Sequence, residues 1–86
     1  MVKTCFAFPS EIIYKVQKVL SDIGIKDESF IWRITESKSQ RQRVKKYPFE
    51  YIAVIESETK DKAHKRGLWL TKKALRDYGL LYWVKE

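Results

Sequence analysis

Phe30-Ile31-Trp32-Arg33-Ile34-Thr35 and Tyr51-Ile52-Ala53-Val54-Ile55 are the two stretches whose reading decides the fold. Both are runs of β-branched and aromatic residues, which suit a pleated, half-buried strand better than a helix. Between them Glu36 to Lys46 is polar and basic, so the two strands are expected to pair as an antiparallel hairpin with a long arm. Upstream, Ile12, Val16, Val19, Leu20 and Ile23 recur at helical spacing on one face. Ser10 is placed to cap that helix and Gly24 to close it in a left-handed conformation, which predicts a helix over about Glu11 to Ile23. Downstream, Ala63, Gly67, Leu70, Ala74 and Tyr78 repeat along one side of a helix-favouring stretch from Glu58 to Tyr78. Gly67 costs that helix about 1 kcal/mol relative to alanine, so two shorter helices divided near Gly67, with Thr71 capping the second, fit the same residues.

The ends of the chain complete the order. Val2 to Phe8 is apolar and aromatic and stops at Pro9, which cannot donate to a ladder, and Leu80 to Val84 follows Gly79 as a last strand. Strand, helix, strand, strand, helix, strand is the split pattern of an α+β, ferredoxin-like sandwich: a four-stranded antiparallel sheet with two helices on one face. Strands one and three are then central, and strands two and four are edges. The other sheet face is open to solvent or a partner. The start of the first helix falls at the same end of the sheet as the basic arm.

The chain's 86 residues leave room for a single domain over 1–86. With 44% hydrophobic and 14% aromatic residues, three glycines and two prolines, the composition supports a core and argues against disorder. One cysteine, Cys5, and one histidine, His64, permit no internal disulfide and suggest neither a metal cluster nor a cofactor. No apolar run reaches the roughly 18 residues of a membrane span, and the first eight residues lack the order of a secretory signal, so a reduced cytoplasmic protein with no membrane partner is expected.

Charge is unevenly spread. Of the net +7, the stretch from Ser37 to Arg76 holds twelve bases and four acids, against six and seven in the remainder. Segregated positive charge attracts polyanions such as phosphate backbones. Lys38, Arg41, Arg43, Lys45 and Lys46 lie in the arm with no acid among them; the arginines can fork to phosphate and the lysines act as point charges. Tyr47, Phe49 and Tyr51 alternate just beyond, so in an extended strand they share a face on which bases could stack. The same residues also fit a core or a buried interface between two copies.

The segment Pro48-Phe49-Glu50-Tyr51-Ile52-Ala53-Val54 weakly resembles the central aromatic strand of RNA-recognition motifs. The resemblance implies that Phe49 and Tyr51 stack bases, with Phe6 or Phe8 as a counterpart on the first strand; Pro48 and Glu50 depart from the small residues of that motif. Small dimeric CRISPR-associated nucleases share this size and topology, but carry an acidic metal ligand where this chain reads Phe8-Pro9-Ser10. These residues lead to a non-enzymatic nucleic-acid-binding protein as the first expectation, with DNA and RNA both open. A protein-interaction module, acting as homodimer, adaptor or inhibitor through the open sheet face or an edge strand, is the alternative.

Overall fold

A computed structural model of the chain describes residues 1–36 and 50–86. Strand β1 (Val2–Phe8) leads through a 3₁₀ turn (Ser10–Ile12) into helix α1 (Ile13–Lys26) and then strand β2 (Trp32–Glu36). Strand β3 (Tyr51–Ser57) is followed by helix α2 (Lys60–Trp69), a π turn (Leu70–Ala74), a 3₁₀ turn (Arg76–Tyr78) and strand β4 (Tyr82–Lys85). The sheet order is β2-β3-β1-β4, with every neighbouring pair antiparallel. This is the expected α+β, ferredoxin-like arrangement: β1 and β3 are central, and β2 and β4 are edges.

One face of the sheet is covered by the helices. Phe6, Phe8, Ala53 and Ile55 from the central strands meet Val16 and Leu20 of α1, with Phe30, Leu70, Leu75 and Leu80 closing the core. Thr4, fully buried, donates its Oγ1 hydrogen to the Ala63 carbonyl of α2 at 2.7 Å and so ties helix to strand. Burying a hydroxyl on this face is tolerable because it is satisfied.

The helices depart from expectation at their ends. α1 runs through Gly24 to Lys26, and Asp27 closes it in an extended conformation. The Asp27 carboxylate accepts hydrogen bonds from the Ser29 amide and hydroxyl, an Asx-type turn that terminates the helix in place of the expected glycine. Ser10 makes no cap; its hydroxyl donates to Glu50 Oε1 at 2.8 Å, tying the start of the helical segment to the residue that precedes β3. In α2 the cap is Thr59, which accepts from the Lys62 amide. Thr71 does not cap a second helix: its hydroxyl donates back to the Gly67 carbonyl at 2.7 Å at the head of the π turn. Close packing demands the glycine at 67, since a Cβ there would run into the ring of Tyr82 on β4. Gly79 adopts φ +59°, the left-handed value that a residue with a Cβ rarely takes, and turns the chain into β4.

Candidate functional site

The register assigns every strand residue to a face. On the helix-covered side stand Phe6, Phe8, Tyr51, Ala53, Ile55, Trp32, Ile34 and Tyr82; Phe6 and Phe8 are 0% exposed. Tyr51 stacks on Phe8 with ring centroids 5.9 Å apart, half-buried against the core. The other expected nucleic-acid contacts, Lys38, Arg41, Arg43, Lys45, Lys46, Tyr47 and Phe49, lie outside the described residues.

The opposite face carries a different set. Arg33, Val54, Cys5 and Trp83 stand side by side across all four strands. Thr35, Ile52 and Ala7 form the row on one side of them. On the other side come Glu56, Lys3 and Lys85, with Ile31 joined to Glu56 by a backbone hydrogen bond of 2.9 Å. The centre is apolar and the rim is charged, three bases to one acid. No helix or strand among the described residues lies over this face. Cys5 is buried among its neighbours, and that burial pushes its thiol pKa up, with Lys85, Lys3 and Arg33 pulling partly the other way. Trp83 is 42% exposed and Ile31 49%, both large enough to anchor a contact.

The sequence held a signal for this surface in the central strands. A strand covered on only one face alternates apolar and polar residues, whereas Cys5-Phe6-Ala7-Phe8 and Tyr51-Ile52-Ala53-Val54-Ile55 are apolar throughout. Counting aromatics drew attention to Phe49 and Tyr51 and passed over Ile52 and Val54.

Around the helices lie polar groups of a different kind. His64 is exposed, with Nδ1 3.4 Å from the Tyr82 hydroxyl. Arg66 ties α2 to β3 and to the loop before β2: it donates to the Glu56 carbonyl at 2.8 Å and the Ser57 hydroxyl at 3.1 Å, and its guanidinium sits 5.0 Å over the Phe30 ring. Among the described residues no three His, Cys, Asp or Glu side chains gather to hold a metal ion, and no helix is long and apolar enough to cross a membrane.

No family model matches the chain, and no curated protein matches it. Among solved structures it is similar to a PII-like signaling protein from Thermus thermophilus, at 13% identity and a TM-score of 0.47, over 98% of this chain and 82% of that one. Nucleic-acid binding, the first expectation from sequence for RNA and DNA alike, is corrected by the structure of the chain itself. The physical reason lies in the register. Phe6 and Phe8, the expected counterpart platform, are sealed in the core, and Tyr51 is stacked on Phe8, so none of the three offers an open aromatic face to a base.

Proposed function

We propose that this chain is a non-catalytic protein-interaction module that docks through the open sheet face, and that the partner seated there is a second copy of the chain. The observation that supports it is the apolar centre of that face: Cys5, Ala7, Ile52 and Val54 on the two central strands, of which Cys5, Ala7 and Val54 are already shielded by their neighbours, and the half-exposed Trp83 on the edge strand β4. Strands apolar on both faces are ordinarily covered on both. The rim suits a two-fold contact, because Glu56 on one copy can meet Arg33, Lys3 or Lys85 on the other. Four strands of about five residues span roughly 20 by 17 Å, about 340 Å² on each copy, which is below the area of standard specific interfaces, so the association is a weak one. A cytoplasmic setting fits the free, buried thiol of Cys5.

The test is the mass in solution as a function of concentration and salt. A 10.3 kDa chain that doubles in mass as its concentration rises supports the reading. Each copy carries +7, so added salt screens repulsion and strengthens the dimer. Mass that stays at the monomer value to the highest soluble concentration overturns it.

A further inference from the structure

A second concavity lies on the helical side, away from the open sheet face. A notch of about 280 Å³ is walled by Ile23 of α1, Phe30, Trp69 of α2 and Leu70. Lys65 and Arg66 stand at its edge and also line a neighbouring cleft of about 500 Å³ that holds Asp27, Ser29, Glu58 and Lys62. The two concavities therefore meet at a pair of cations. Trp69, which lines the notch, leaves 46% of its surface exposed.

The charges around the mouth are mostly committed. Lys62 Nζ pairs with Glu58 at 3.2 Å, and Arg66 Nη2 faces Asp27 at 3.8 Å. Glu56, which also lines the cleft, belongs by register to the opposite sheet face. Lys65 has no acidic partner among the described residues, which leaves one cation in surplus where the apolar notch opens. One negative charge is complementary there. A dianion such as phosphate would stand against the Asp27 and Glu58 carboxylates as well.

We propose that this notch binds a small monocarboxylate bearing an aromatic ring or a branched apolar tail, with the apolar end against Phe30 and Trp69 and the carboxylate at Lys65. The volume is at the lower limit of small-molecule sites and suits one ring on a short chain. Phe30, buried at the floor of the notch, has the Arg66 guanidinium 5.0 Å from its ring centroid, so this wall is fixed before the ligand arrives. The site shares no residue with the central row of the open face.

The experiment is a titration of the isotope-labelled full chain with 3-phenylpropionate, followed by two-dimensional NMR beside 3-phenylpropanamide and inorganic phosphate. The expected result is saturable shifts of the Trp69 indole N–H and of the Ile23, Phe30 and Leu70 amides. The amide should bind about tenfold more weakly for want of the charge-assisted contact, and phosphate should leave these signals in place. Lys65→Gln should weaken 3-phenylpropionate by a similar factor, whereas Lys18→Gln, on the exposed side of α1, should not. Trp69→Ala, with its fold verified by the dispersion of its own spectrum, should lose the saturable shifts. The proposal is overturned by absence of saturable shifts at Trp69, by equal binding of acid and amide, or by equal weakening in the Lys18 and Lys65 variants.

Discussion

Replacing Trp83 with alanine removes the largest exposed side chain from the middle row of the open face. About 42% of the residue is exposed in the isolated chain. For a side chain of roughly 250 Å² that is about 100 Å², which at about 25 cal/mol per Å² corresponds to about 2.5 kcal/mol of transfer free energy if a partner covers it. A two-fold contact counts the loss twice, so the upper bound is about 5 kcal/mol, between three and four decades in the dimer dissociation constant. Interface losses on truncation usually fall below such bounds, and a tenfold weakening is the least the reading allows. Sedimentation equilibrium at several loading concentrations measures it directly. The control is Leu68→Ala: Leu68 is 52% exposed, but it lies on α2, which packs on the other side of the sheet. Thermal melting of the monomeric Trp83 variant separates loss of association from loss of fold. A variant dimer as tight as the parent, or equal weakening by the Leu68 substitution, refutes the sheet-face interface.

The remaining predictions concern what holds the scaffold. Thr4→Val keeps the shape of the buried side chain but removes the 2.7 Å bond to the Ala63 carbonyl, and should cost about 1 kcal/mol in a denaturant titration. Gly67→Ala gains up to about 1 kcal/mol of helix propensity, but its Cβ meets the Tyr82 ring. Overpacking of that kind costs about 1 to 3 kcal/mol, so the melting temperature should fall, and pairing the change with Tyr82→Ala should recover part of the loss in a double-mutant cycle. Asp27 is held below the usual carboxylate range by the Ser29 hydroxyl and amide, with Arg66 and Lys62 adding to the effect. A depressed folded-state pKa contributes stability that is present above the unfolded value of about 3.9 and is lost as pH falls through the folded value. Asp27→Asn should therefore flatten the acid limb of the melting temperature below about pH 4 and leave its neutral-pH shape unchanged.

Element order was legible from hydrophobic period and turn residues, and sheet order and the central strands followed from that order through right-handed crossovers, because each depends on many residues at once. Helix ends were not, because each hangs on one or two side chains whose partners are distant in sequence or in competition. Gly24 has the right chemistry to stop α1, yet the Asp27–Ser29 turn does so three residues later. Ser10 has the right chemistry to cap, but Glu50, forty residues away, takes its hydroxyl. Thr71 lost its expected role when the π turn brought it back onto the Gly67 carbonyl. At the candidate site the sequence left the direction of the strand side chains open between a base-stacking face and the core: Cys5 is buried on the open face, while Phe6, Phe8 and Tyr51 face the helices.

The register settles that direction, and it also supports the proposed surface. Side chains on a strand alternate with period two, so the pairing of Phe8 with Tyr51 settles at once that Tyr51 and Ile55 face the core and that Ile52 and Val54 face away. Had the pairing slipped by one residue, an aromatic platform of the RNA-recognition kind would lie on the open face. Instead that face holds a compact group of aliphatic side chains, a thiol and Trp83. Aromatic rings with a basic arm beside them serve a stacked base well, whereas Ala7, Ile52 and Val54 offer a base neither a π face nor a hydrogen bond. With the exposed Trp83 and Ile31 beside them, they do offer another apolar sheet a surface that excludes water. The charge then acts in the opposite sense to the one read from composition: on an apolar contact between like-charged copies it opposes association, so rising salt should tighten the complex that forms, where a phosphate-bound complex would loosen.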